Sequence, residues 1–333
     1  MKRKLFILSV AALVIGALAG ACSKENTFIL DEWLEISQDR TDGRSFNLMK
    51  QSIKVPGSNA TVDVVFILKG EFDMGAEEFD YMAYGYEKPK HHVVISKDFA
   101  MGATPVTQEL YEAVMGTNPV RTKTTENPAL QGFLGADKPV VWVTYEDAVE
   151  FCSRLSEKTG KHFYLPSEAQ WEYAAHGGHA ALPGRTLYSG GDELDKLGWY
   201  NVNTPVENFE IYMEDFDDET GATVIDTFQV ASRHIMPVGK KDRNIIDLYD
   251  MSGNVWEWCS DYFYYYTTAD QTDPIGQDTL SYHGQQLHYH VYRGGAWNTN
   301  NIKCRITYRY PHEIAPENFT CDSTIGFRVA MEL

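Results

Sequence analysis

The sequence predicts an α+β domain, and three observations predict it. Runs rich in β-branched and aromatic residues, bounded by glycine, lie early: VDVVFILKGEFDMG (62–75) and HHVVISKDFAMG (91–102). Three segments with helical start and stop signals follow, between 107 and 178. Beyond Gly178 the periodicity fades into long stretches rich in Gly, Asn, Asp, Trp and Tyr. Strands, then helices, then irregular chain describe small sheets with flanking helices rather than alternating βαβ units.

Each helix has its own justification. TQELYEAVMG has Thr107 as N-cap and Gly116 as its stop. TYEDAVEFCSRLSEKTG opens on Thr144 and Asp147, a loose capping box, and ends at Gly160. Its Ala148, Phe151, Cys152 and Leu155 fall at i, i+3, i+4 and i+7, so Cys152 is a core position. SEAQWEYAAHGG pairs Ser167 with Gln170 as a capping box and stops at Gly177–Gly178. Loops as long as those beyond Gly178 are usually functional or tied down.

The N-terminus reads as an address. MKRK precedes the apolar run LFILSVAALVIGALAGA, which marks residues 1–21 as a secretory leader. The run is also about long enough to span a bilayer, so an uncleaved anchor is the rival. AGAC followed by SKEN resembles a bacterial lipoprotein box, with Cys22 acylated, although Ala19 stands where Leu is commoner. Residues 22–58 are polar and read as a tether, with a short helix around Asp31–Ile36. A single domain is expected over 59–333.

Loss of residues 1–21 removes Lys2, Arg3 and Lys4 and no acid, so the formal charge goes from −18 to −21. That excess argues against nucleic acid and against anionic headgroups, and is compatible with divalent cations. Cys152, Cys259, Cys304 and Cys321 are far apart, with neither CxxC nor metal-finger spacing. They read as buried thiols or as disulfides of undetermined pairing. Residues 204–232 carry eight acids and no Lys or Arg, and read as a solvated acidic loop. Asp215-x-Asp217-x-Glu219, with Asp226 at the twelfth position, faintly echoes a calcium loop.

Four segments form a pattern: VTQELYEAVMGTNP (106–119), FYLPSEAQWEYAAHGG (163–178), DLYDMSGNVWEWCSD (247–261), and VYRGGAWN (291–298) with IGFRVA (325–330). In this order and spacing they resemble the formylglycine-generating enzyme, or sulfatase-modifying factor, family. The resemblance implies a fold related to C-type lectins, with small, mostly antiparallel mixed sheets, flanking helices and much irregular chain.

In DMSGNVWEW two hard carboxylates, Asp250 and Glu257, flank a glycine that lets the backbone turn. Such an all-oxygen arrangement suits calcium. The resemblance implies calcium on Asp250 and Glu257 and on the carbonyls of Gly253 and Val255. The alternative is that both acids only cap turns. A second calcium site implied by the family would fall on Asn201, Val202, Asp226 and Phe228.

Catalytic relatives carry two cysteines after the glycine turn, which hold copper and cycle through a disulfide. Soft thiolates suit Cu(I), and two are needed for a linear site. Here the first position is Thr299 and the second Cys304, and the serine of the turn is Ala296. No copper and no formylglycine synthesis are therefore expected, and Cys304 reads as a packed or disulfide-bonded residue. Three further departures are Tyr164 and His176, where arginines are usual, and Gln170, where an acid is usual. These are expected to be ion pairs replaced by other contacts. His288 and His290 would share one face of a strand and could form half of a metal site.

The expected function is a non-catalytic binding or assembly module on an outer-membrane lipoprotein, facing the periplasm or the surface. It resembles family lipoproteins that serve gliding motility and protein secretion. Its partner would be an envelope protein or glycan, and the membrane would be reached through the lipid. The alternative is an oxidoreductase or other enzyme using the same pocket without copper. A deep cleft beside Thr299 and Cys304 would favour the enzyme, and a closed surface the module.

Overall fold

The computed structural model describes residues 33–39, 45–181, 184–217, 222–276, 280–282, 285–287, 289–309 and 321–333. The strands are, in chain order, β1 (Leu34–Asp39), β2 (Ser45–Lys54), β3 (Thr61–Ile67), β4 (Gly70–Met74), β5 (His91–Ile95) and β6 (Phe99–Gly102). Then come β7 (Phe163–Tyr164), β8 (Glu207–Asp217), β9 (Ala222–Ser232), β10 (Trp256–Tyr262) and β11 (Gln271–Thr272). The last are β12 (Leu280–Tyr282), β13 (Gln285–Leu287), β14 (His290–Arg293), β15 (Ile325–Gly326) and β16 (Ala330–Glu332). Helices are α1 (Gln108–Met115), α2 (Pro119–Glu126), α3 (Tyr145–Thr159), α4 (Glu168–Ala175) and the single-turn α5 (Leu194–Leu197).

The main sheet has the order β1-β2-β3-β6-β16-β7. The end of the chain is built into it: Ala330 lies opposite Met101 on one side and Tyr164 on the other. Successive strand residues point to opposite faces, so Val64 and Ala100 join one core while Val65 and Met101 join another. Helices α1 and α3 cover the first core through Leu110, Tyr111, Val114, Phe151 and Leu155. Helix α4 covers the second through Trp171, which is fully buried. A smaller sheet, β14-β10-β15, carries the GNVWEW and RGGAW segments side by side. Another is β11-β5-β4.

The helix signals meet their expected partners. Thr107 accepts from Leu110 N, and Thr144–Asp147 and Ser167–Gln170 close reciprocal capping boxes. Gly116 and Gly160 end their helices in the left-handed region. Each N-cap is worth roughly 1 kcal/mol. Cys152 is 4% exposed, in the core as its spacing required.

Two expectations require correction. The tether does not reach residue 58. β1 and β2 are strands of the main sheet, and Leu48 and Ile53 are buried. The described part of the expected helix at 31–36 is strand. β2 reads SFNLMKQSIK, and its period of two places Leu48 in the core, so the polar average of the segment concealed a half-buried strand. The acidic stretch is not a loop either. β8 and β9 form an antiparallel hairpin in continuous register, from Glu207 opposite Ser232 to Asp217 opposite Ala222. Acids there alternate with Phe209, Ile211 and Met213, a strand pattern that the charge count overrode.

Candidate functional site

The two motif segments meet at one place. β10 begins at Trp256 and β14 ends at Arg293, so the chain just before β10 and just after β14 lies together. Gly253 N donates to Gly294 O at 2.7 Å, and Trp297 N donates to Asn254 O at 2.9 Å. Asp250, Gly253 and Asn254 all have positive φ, which winds residues 250–255 tightly. Asn254 fastens this loop outward by exchanging hydrogen bonds with the Met236 backbone.

The RGGAW turn is closed over Cys304. Gly294 and Gly295 have φ of 100° and 78°. A Cβ on Gly295 would stand 2.6 Å from Cys304 Sγ, so only glycine fits there. Ala296 is fully buried. Thr299 Oγ1 accepts from Ala296 N and donates to Ala296 O, which commits its hydroxyl to the turn. Cys304 Sγ lies 3.6 Å from Thr299 Oγ1 and 3.6 Å from Asn300 O. Its side chain is fully buried against Tyr188, Leu194 and Leu197. Burial pushes its thiol up to about 12. Arg305, the neighbouring cation, spends its charge on Glu87 at 2.8 Å.

Cys152, Cys259, Cys304 and Cys321 are all free thiols, which resolves the disulfide alternative for Cys304. Three are buried, and Cys321 is half-exposed. In native protein at pH 8, iodoacetamide should alkylate half-exposed Cys321 well before Cys152, Cys259 and Cys304, although burial pushes the Cys321 thiol up as well. Peptide mapping by mass spectrometry reads this, and early labelling of Cys304 would show an open pocket that the geometry lacks.

Of the first calcium set, the two carboxylates are both buried, and the Gly253 carbonyl accepts from Val255 N at 2.9 Å. Asp250 is 2% exposed and Glu257 is fully buried, and the Glu257 charge acts on Asp250. Asp250 Oδ2 accepts from Gly239 N at 2.7 Å, while Oδ1 is buried with no hydrogen-bond partner. Burial pushes this carboxyl up to about 6. An orphaned buried carboxylate oxygen is costly unless a cation or proton meets it. Glu257 Oε2 accepts from Trp171 Nε1 (2.7 Å) and Arg328 Nε (2.5 Å), and Oε1 from Arg328 Nη2 (2.7 Å). Oε1 therefore keeps a lone-pair site. Two carboxylates and one guanidinium leave a net negative charge, so the residues fit a hard cation. Sequence reasoning missed Trp171 and Arg328 as partners of Glu257, although both lie inside the quoted motifs.

The residues of the second set fall on separate elements. Asn201 and Val202 sit in a turn, with Val202 70% exposed. Asp226 and Phe228 lie on β9, opposite Met213 and Ile211. The backbone of Asp215, Asp217 and Asp226 is extended strand rather than a loop, and Glu219 lies outside the described residues. Among the described residues, no three His, Cys, Asp or Glu side chains gather as a metal cluster. His288 is outside the described residues. His290 is stacked between Tyr145 and Tyr262, at ring distances of 3.3 and 4.1 Å, and burial pushes its pKa down to about 4.

The three departures have the expected substitute contacts. Gln170 Nε2 donates to Tyr164 OH at 3.1 Å, and His176 lies 3.8 Å from Glu172.

Comparison with known proteins follows from this geometry. Residues 50–333 match the sulfatase-modifying factor enzyme 1-like domain, and the chain belongs to that family. It is 27% identical over 248 residues to the "Chaperone protein LppX" of Paenibacillus barcinonensis, covering 65% of this chain and 75% of the relative. It is 32% identical over 194 residues to the formylglycine-generating enzyme of Streptomyces coelicolor, covering 58% of this chain and only 52% of that enzyme. Among solved structures, Treponema denticola variable protein 1 superposes with a TM-score of 0.63 at 24% identity, over 85% of this chain and 99% of its own. The α+β fold expected from the motifs is thus the family fold.

Proposed function

We propose that this chain is a non-catalytic binding or assembly module of the cell envelope, held at the outer membrane by acylated Cys22. The observation that carries the reading is the sealed position of Cys304. The thiol is fully buried, its pKa is pushed up to about 12, and its neighbour is a hydroxyl already bonded to the turn. One buried thiol cannot offer the two thiolates that linear Cu(I) requires. The family surface is then free to serve recognition. The similarity to a relative named as a chaperone, LppX, supports an assembly role.

The proposed structural ion is calcium, held by Asp250, Glu257 and the carbonyls of Gly253 and Val255. Its part is to neutralise the buried charge and lock the loop against the RGGAW turn. The test of the main reading is mass spectrometry of a cysteine-containing sulfatase-type peptide incubated with the protein, Cu(I), oxygen and reductant. No formylglycine is expected. Product that forms with the wild type and vanishes with Cys304→Ala would establish a single-thiol enzyme instead.

Acylation has its own measurement. Cells fed a fatty-acid analogue should label the wild-type chain and not Cys22→Ala. Equal labelling of both would remove the lipid anchor from the proposal.

A further inference from the structure

An opening of about 690 Å³ lies between α3 and β7, away from the RGGAW turn. Its size falls in the range of small-molecule sites, roughly 300–1,000 Å³. One wall is a single face of α3, from Tyr145 through Val149, Cys152 and Ser153 to Ser156. These positions step by four, three, one and three, so they form one stripe. At about 1.5 Å per residue the stripe is about 16 Å long. Phe99, Phe163 and Leu165 form the floor and are 1–3% exposed. Pro274 and Ile275 stand among the lining residues. Val149 is 44% and Ile275 75% exposed, so apolar surface continues to the lip.

The polar groups of the cleft are largely occupied already. Asp98 accepts from Lys69 N at 2.8 Å, and Asp273 accepts from Ser96 N at 2.8 Å. Glu332 pairs with His162 at 2.9 Å. Lys97 stands exposed at the mouth. The inner end is neutral, because Gln170 and Tyr164 satisfy each other by an uncharged hydrogen bond. Ser156 Oγ closes the outer edge of β7 by accepting from Phe163 N at 2.8 Å, so no peptide strand can pair there. Apart from Lys97 at the mouth, the charged groups of the cleft already hold partners, so a charge carried inward past the lip would lose hydration without replacing it. An extended peptide would find the Phe163 N–H of β7 already taken. An apolar chain would cover floor and lip together.

We propose that this cleft is a binding site for an uncharged, elongated apolar molecule. The site is independent of the family pocket, of calcium and of acylation.

The test uses the full chain carrying Cys22→Ala, so that no acyl group of its own competes, and the uncharged fluorophore N-phenyl-1-naphthylamine. The probe should brighten on saturable, one-site binding. 1-Dodecanol should displace it at a concentration at least about tenfold lower than dodecanoate or dodecylammonium do, a ratio worth about 1.4 kcal/mol. Ser153→Trp fills the stripe, and Val149→Glu puts a charge at the lip. Both positions are exposed on α3, so the fold should survive, as circular dichroism will check. Each should weaken the probe about tenfold or more. Lys240→Trp, on an exposed residue away from the cleft, should not. If one of the cleft variants fails to fold, the other carries the test. No saturable brightening, equal displacement by the charged chains, or unchanged binding in the folded cleft variants would each overturn the proposal.

Discussion

Glu168→Ala should destabilise the domain by about 3–5 kcal/mol, the cost of breaking a buried ion pair from one side. Glu168 is the first residue of α4 and is fully buried. Its two oxygens take Arg309 Nε at 2.7 Å and Nη2 at 2.6 Å, and Arg293 Nη1 lies 3.5 Å away. Arg293 in turn is bonded to Glu172, so two acids and two arginines neutralise one another away from water. Arg309 also sits 3.8 Å above the Tyr266 ring and donates to the Tyr86 and Tyr264 carbonyls. Those contacts are neutral. Truncating Glu168 leaves two guanidiniums facing one carboxylate in a low-dielectric core. The loss would be a large share of a typical total stability of about 5–15 kcal/mol. Urea denaturation should show it as a lower midpoint at similar slope. The double variant Glu168→Ala, Arg309→Met should be less destabilised than the single one, because no charge is stranded. A single-variant cost below about 1 kcal/mol would show that water reaches the cluster.

That cluster also marks the limit of the sequence. Its members are separated by up to 141 residues, and nothing local announces that Glu168 meets Arg309. Arg328 and Glu257, 71 residues apart, are hidden in the same way. Local devices were legible because their physics is local. Thr144 and Asp147 are three residues apart and close their own box. The core stripe of α3 repeats every three to four residues. Asp250 lies in the turn that leads into β10 and Glu257 at the start of that strand, so their nearness was local in sequence. The errors came where composition outweighed period. Residues 45–54 look polar on average, yet the strand is covered on both faces, with Leu48 in one core and Ile53 in the other. Residues 207–232 are dominated by acids, yet Phe209, Ile211 and Met213 keep a strand's period of two. The cleft beside α3 was invisible because its walls come from elements distant in the chain.

The other large effect is expected from removing calcium. Asp250 Oδ1 is buried without a hydrogen bond of ordinary length, and burial outweighs the help that Gly239 N, Arg328 and the Asn254 side chain give the charged form. A buried charge in that position destabilises the fold unless something positive meets it. A cation bound only by the folded chain, at 100 times its dissociation constant, adds about 2.7 kcal/mol. Chelation should therefore lower the melting temperature by about 5 °C, and excess calcium should restore it. Asp250→Asn separates the ion from the loop. The amide has the same shape and can still accept from Gly239 N, but it carries no charge for a cation to neutralise. This variant should lose the response to chelator, and it should be more stable than the chelated wild type because the buried charge is gone. Glu257→Gln should lose the response too, but at a further cost, since Arg328 then faces a neutral partner in the core. The two substitutions thus diverge in stability while agreeing on calcium. Differential scanning calorimetry with and without chelator reads both quantities. A wild-type melting temperature that moves by less than about 1 °C on chelation would mean that residues 250–255 hold their shape through hydrogen bonds alone, and Asp250 would then be a strained turn residue rather than a ligand.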